Sequence, residues 1–129
     1  MNFAYWMILA AALLPYAATY YFKFAGGGIS SYDNSAPRAA VESLPPARRR
    51  AYWAQLNGFE AFAPFAAAVV VAHLASVPQR WIDALAGMFV VLRVIYTLLY
   101  IRDKPTARSL TWLAAFSCVV ALLVAAAIG

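Results

Sequence analysis

Polar residues at helical spacing, set inside stretches that are otherwise apolar, carry whatever chemistry this chain performs. Asn57, Glu60 and Pro64 fall at i, i+3 and i+7, so they share one helix face. Arg93, Tyr96 and Tyr100 repeat that spacing in a later stretch, and Arg108-Ser109 stand near the start of the last one. Glu60 and Arg93 are the charges within the central parts of the apolar runs. An ionisable group in hydrocarbon costs about 2.5–3.5 kcal/mol even on the lenient insertion scale. Such residues need a partner, a water-filled cavity or a ligand. Two tyrosines and an amide in the same company favour a ligand-binding cavity inside a membrane bundle.

The elements that must position these groups are four apolar runs, Phe3–Phe24, Trp53–Ser76, Trp81–Ile101 and Ala107–Ile128. Each has about the 20 residues needed to cross a hydrocarbon core of roughly 30 Å. Hydrophobic residues make up 65% of the 129, and charged ones 12%. That composition excludes an ordinary soluble domain and leaves room for one membrane domain over residues 1–129. Pro45-Pro46 open the second helix ahead of its apolar run, because a first turn tolerates a missing N–H. The predicted helices are thus 3–24, 46–76, 81–101 and 107–128. The links at Val77–Arg80 and Arg102–Thr106 are short, which forces antiparallel neighbours and an up-down four-helix bundle. Gly26-Gly27-Gly28 breaks the first helix, and Ser30–Leu44 is the one long polar segment.

Without a basic n-region or a small-residue cleavage site, the first run reads as a retained helix rather than a signal peptide. The net charge of +5 is a matter of topology, not of nucleic-acid binding. Arg38, Arg48, Arg49 and Arg50 lie between the first two spans, and Arg102, Lys104 and Arg108 between the last two. Four spans put those loops on one face, and the positive-inside rule makes that face cytoplasmic, with both termini outside. Part of the basic cluster also suits anionic lipid headgroups. Cys118 is alone in an apolar run and reads as packing; His73 is the single histidine, so no metal-ligand spacing exists.

Depth connects the two polar faces. At a rise of about 1.5 Å per residue, Glu60 lies roughly 10 Å inside its entry near Trp53. Arg93 lies roughly 12 Å inside its exit near Ile101. The opposite charges therefore match in depth. Spacing allows either an ion pair that registers two helices or a polar cavity lined by both.

The segment Ala54-Gln55-Leu56-Asn57-Gly58-Phe59-Glu60-Ala61-Phe62-Ala63-Pro64-Phe65 resembles the second-helix signature of the MAPEG family, the membrane-associated proteins in eicosanoid and glutathione metabolism. Arg93-x-x-Tyr96-x-x-x-Tyr100 resembles that family's third-helix pattern, and Arg108-Ser109 its opening of the fourth helix. The resemblance covers nearly the whole chain. It implies a homotrimer with glutathione bound between subunits near the cytoplasmic face. Asn57 and Glu60, assisted by Gln55, would hold the peptide backbone and amino end of glutathione. Tyr96 and Tyr100 would come from the adjacent subunit, Arg93 would organise Glu60, and Arg50 would reach a glutathione carboxylate. Arg108, with Ser109 beside it, would face the sulfur as the catalytic pair.

The implied activity is a glutathione-dependent transferase or peroxidase acting on hydrophobic electrophiles or lipid hydroperoxides that arrive from the bilayer. Glutathione is a cosubstrate and no metal is expected. The minimal, alanine-rich chain looks like the bacterial branch, which implies the inner membrane. Two positions depart from the pattern: Trp53 stands where enzymatic relatives carry an arginine, and Ala61 where some carry a tyrosine. The alternative is a non-enzymatic scaffold or lipid-binding protein of the same fold, in which the polar cluster only specifies packing.

Overall fold

Prolines set the helix starts. Pro37, Pro46 and Pro105 each occupy a first turn, where the absent N–H would have had no partner. The computed structural model describes residues 2–25 and 35–129. Its helices are α1 (Phe3–Phe24), α2 (Pro37–Glu42), α3 (Pro46–Leu74), α4 (Gln79–Ile101) and α5 (Pro105–Ile128). Helices α1, α3, α4 and α5, of 22, 29, 23 and 24 residues, are long and apolar enough to span a membrane. At about 1.5 Å per residue α3 is roughly 43 Å long and outreaches a hydrocarbon core of about 30 Å. Its first turns, with Arg48–Arg50, therefore stand clear of the apolar layer.

Helix bounds differ from the sequence expectation by two residues at three places. The second span ends at Leu74, the third begins at Gln79 and the fourth at Pro105. Helix α2 was not expected. Ala39 and Ala40 favour it, and Val41 and Leu44 bury against Phe22 and Ala51 at the basic end of the bundle. The triple-glycine break and most of the tip of the polar segment fall at residues 26–34, outside the described residues.

Both short connections are Schellman turns. After α3, Ser76 N–H donates to the His73 carbonyl and Val77 N–H to that of Ala72. After α4, Asp103 N–H donates to Tyr100 and Lys104 N–H to Leu99. Each turn places a non-glycine residue in the left-handed region, Ser76 at φ 60° and Asp103 at φ 58°. Proline follows in both cases, and the next helix starts antiparallel.

Packing follows from small residues. Ala4, Ala68, Ala72, Ala86 and Ala115 are buried, so backbones approach closely where lipid gives no hydrophobic drive. Phe65 and Phe89 stack at 4.0 Å and join α3 to α4. Helix α1 packs on α3 and α4, and α5 packs on α3 and α4, while α1 and α5 do not meet among the described residues. Two edges of the bundle carry grooves between helices that touch, one at α1/α4 and the other at α3/α5. Large apolar side chains such as Leu13, Met88, Val91, Leu113 and Val124 face outward, as lipid contact requires.

Each end of the bundle is tied by polar groups. At the basic end Arg48, 7% exposed, donates from Nε to the Phe22 carbonyl at 2.8 Å and from Nη2 to the Lys23 carbonyl at 2.6 Å. Arg50 donates from Nε and Nη2 to the Ile101 carbonyl, at 3.1 and 3.0 Å. These two arginines of α3 thus satisfy the orphan carbonyls that end α1 and α4. At the other end Asn2 caps α1 by accepting from Ala4 N–H at 2.9 Å. His73 donates from Nδ1 to the Val69 carbonyl, so its Nε2 accepts from Asn2 Nδ2, each at 2.8 Å. Asp83 Oδ1 accepts from Ala4 N–H and from Gln79 Nε2, which joins α4 to the same clasp.

Two stability predictions follow from these contacts. A Cβ on Gly58 would meet Pro15 Cγ at 2.9 Å, and that ring is closed onto the α1 backbone and has no free rotamer to adopt. Gly58→Ala should therefore destabilise the fold by about 1–3 kcal/mol, read as a lower thermal midpoint in detergent. Ser76→Gly should act in the opposite sense, by about 1 kcal/mol, because glycine adopts the left-handed conformation without the Cβ conflict. An unchanged or lower midpoint for that variant would contradict the strain assigned to Ser76.

Candidate functional site

Proline again shapes the local geometry. Pro64 has no N–H to offer the Glu60 carbonyl, so α3 loses one backbone hydrogen bond beside its polar face. Asn57, Glu60 and Pro64 line a cavity of about 230 Å³ with Arg93 and Phe89 of α4. Trp112, Phe116 and Val119 of α5 form its apolar wall. The cavity opens on the α3/α5 side of the bundle. Glu60 is exposed there, while Arg93 is 3% exposed.

Of the two arrangements that spacing allows, the structure contains the polar cavity. Arg93 Nη2 is buried without a hydrogen-bond partner, and so is Asn57 Oδ1. Both atoms are closed to solvent but belong to side chains that line the cavity. A buried polar atom left unsatisfied costs about 1–3 kcal/mol, more when charged, so a polar occupant met by a small rotation of these side chains would relieve both. One is a cationic donor and the other an acceptor, with the Glu60 carboxylate beside them. Together they suit a ligand bearing both an anionic group and N–H donors.

Arg93 is held by its neighbour on the next turn. Its guanidinium carbon lies 4.1 Å from the centre of the Tyr96 ring. Tyr96 and Tyr100 meet edge to face at 5.7 Å, and the Arg108 guanidinium carbon lies 4.3 Å over the Tyr100 ring. Two cations thus flank a pair of tyrosine rings, from Arg93 through Tyr96 and Tyr100 to Arg108, bridging α4 to the first turn of α5. Cation–π contacts of this kind contribute roughly 2 kcal/mol when desolvated. Arg108 is thereby fixed in direction despite partial exposure.

Tyr96, Tyr100, Arg108, Ser109 and Trp112 line a second, shallower concavity of about 170 Å³. Trp112 belongs to both hollows and separates them. Its indole stacks on Phe116 at 5.3 Å, nearly parallel. Trp112 had no place among the sequence-derived site residues. The i+4 relation to Arg108 was the available signal, but an interfacial tryptophan is too common to single out from sequence.

The structure therefore gathers Asn57, Glu60 and Arg93 around one hollow and Tyr96, Tyr100, Arg108 and Ser109 around the other. It does not bring Gln55 or Arg50 to either. Gln55 Nε2 donates to Thr19 Oγ1 on α1, and Arg50 is engaged on the Ile101 carbonyl. Among the described residues no cluster of histidine, cysteine or carboxylate side chains is arranged to hold a metal ion. Cys118 is buried in the apolar core.

No curated protein and no solved structure was found to match this sequence. The sequence profile of the MAPEG family matches residues 3–128, essentially every residue that builds the four spans and both hollows. The chain belongs to the MAPEG family.

Proposed function

We propose that the two hollows are the ends of one glutathione site and that the protein is a glutathione-dependent membrane transferase or peroxidase. The observation that carries this reading is the pair of unsatisfied buried atoms, Arg93 Nη2 and Asn57 Oδ1, beside the Glu60 carboxylate. Glutathione offers carboxylates, amide N–H groups and an ammonium, which complement that set. Its thiol end then extends past Trp112 toward Arg108 and Ser109. Membership of the family supports glutathione-related chemistry in general terms.

Arg108 is the group suited to the sulfur. A free thiol has a pKa near 8.5 and is only a few per cent thiolate at neutral pH. Lowering it by about two units takes about 2.7 kcal/mol of selective stabilisation of the anion. A guanidinium held against Tyr100, in the first turn of α5 where the helix dipole also favours anions, is well placed to contribute that. Ser109 adds a hydroxyl donor. The thiolate then attacks an apolar substrate arriving from the bilayer. At an electrophilic carbon it forms a C–S bond by displacing a leaving group or adding across an activated double bond. At a peroxide oxygen it breaks the O–O bond, releasing the alcohol and leaving a sulfenic acid that a second glutathione reduces to the disulfide with loss of water. In this reading the basic face is cytoplasmic, the membrane is a bacterial inner membrane, and neighbouring subunits of a homotrimer cover the α3/α5 groove.

Glutathione should raise the thermal midpoint of the purified protein saturably, with S-methylglutathione as the sulfur-blocked control. At 100 times its dissociation constant the gain is about 2.7 kcal/mol. Arg93→Met should abolish the shift while leaving the ligand-free midpoint unchanged or higher, because it removes a buried cation with an unsatisfied donor. A glutathione shift that survives Arg93→Met would defeat the assignment of the cavity.

Arg108→Ala should retain that thermal shift yet lose at least tenfold in conjugation of a hydrophobic electrophile. Its pH–rate profile should also move up toward the ordinary thiol range near 8.5. Full turnover in Arg108→Ala would remove the thiolate role. No glutathione shift in the unaltered protein would favour the same fold acting as a scaffold or lipid-binding protein.

A further inference from the structure

The edge where α1 meets α4, away from the polar cavity, has its own groove of about 270 Å³. Leu14, Ala18 and Tyr21 of α1 form one wall, and Val94, Leu98 and Ile101 of α4 the other. Each wall covers eight residues, or about 10 Å of rise, and both end at the basic face. That length lies within one leaflet, which is about half of a 30 Å hydrocarbon core. A neighbouring helix would run across the whole core. The groove instead has the reach of an acyl chain entering from one surface.

The rim of this groove is cationic. The C-termini of α1 and α4, which end its two walls, would on their own repel an anion through their exposed carbonyls. Arg48 neutralises the first through Phe22 and Lys23, and Arg50 the second through Ile101. Lys23 stands two residues beyond Tyr21, and Arg102 follows Ile101 directly. Arg102 and Lys104 are exposed. Asp103 is the one carboxylate in residues 101–108. An apolar slot that opens beneath such a rim complements a molecule with an anionic head and a hydrocarbon tail.

We propose that the α1/α4 groove is a binding site for an anionic phospholipid of the basic-face leaflet, one acyl chain lying between Leu98 and Ala18 and the phosphate over Arg102. The site is independent of the glutathione reading. It lies on the other side of the bundle and shares no residue with either hollow.

The test titrates the purified full chain, in zwitterionic detergent, with dioleoylphosphatidylglycerol. Dioleoylphosphatidylcholine and inorganic phosphate are the controls, the readouts being thermal midpoint and native mass spectrometry. The anionic lipid should raise the midpoint saturably, with a half-point at least fivefold below that of the zwitterionic lipid. Arg102→Ala should weaken the response to the anionic lipid about fivefold, the contribution of one cation near a phosphate. Leu98→Trp fills the groove from an exposed position and should remove the response to both lipids. Both variants should keep any thermal response to glutathione.

Equal responses to the two lipids would overturn the proposal, as would an unchanged lipid response in Leu98→Trp. Inorganic phosphate reproducing the lipid effect would mean a headgroup site without the groove. Loss of the native oligomer in Leu98→Trp would mean that a second copy of the chain, not a lipid, fills it.

Discussion

One buried guanidinium governs the interior of this bundle. Arg93 cannot shed its proton, so burying it demands electron density from whatever surrounds it. Tyr96 supplies a ring face one turn away, while Nη2 stays buried without a hydrogen-bond partner on a side chain that lines the cavity. The carboxylate that might have quenched it is exposed at the cavity wall instead. An ion pair would have closed the space between α3 and α4. Leaving the cation without a carboxylate partner keeps that space polar.

The same guanidinium organises the approach to α5. Aromatic faces carry its influence along α4 to Arg108, so two cations that belong to different hollows are aligned by a pair of tyrosines. Helical spacing makes this possible: residues 93, 96 and 100 fall on one stripe, and α5 begins after a tight turn that brings residue 108 back over residue 100. The Schellman turn at Asp103 is therefore as much a part of the site as the residues that line it. Without its left-handed step, α5 would not present Arg108 to the ring of Tyr100.

The spans were legible because twenty apolar residues in a row have few other uses, and the polar faces because a charge at depth is expensive. Spacing and depth brought Asn57, Glu60 and Arg93 to one level but left an ion pair and a shared cavity equally open. Other features had no one-dimensional signal. Arg48 and Arg50 read as topology signals, and only the fold reveals that they hold the carbonyls of Phe22, Lys23 and Ile101. Gln55 shares a helix with Asn57 yet turns to Thr19, because two residues along a helix is a rotation of about 200°. Helix α2 was hidden in the segment that read only as the long polar one, while its drive comes from burying Val41 and Leu44 against distant residues. Long-range contacts of this kind are invisible to periodicity.

The missing contact between α1 and α5 has a bearing on how the protein is made. With the outermost spans apart, the chain divides into two hairpins, α1 with α3 and α4 with α5, each built from neighbours in sequence. The first hairpin is complete before the second leaves the ribosome, and each can insert and pair locally without waiting for the far end of the chain. The polar cavity is then born late. It appears only when the second hairpin docks, bringing Arg93 and Trp112 against a surface where Asn57 and Glu60 already wait. During synthesis the nascent membrane therefore carries Glu60 before its walls exist, and α3, which lacks the backbone hydrogen bond that Pro64 cannot donate, must keep that carboxylate within reach of water until the second half arrives.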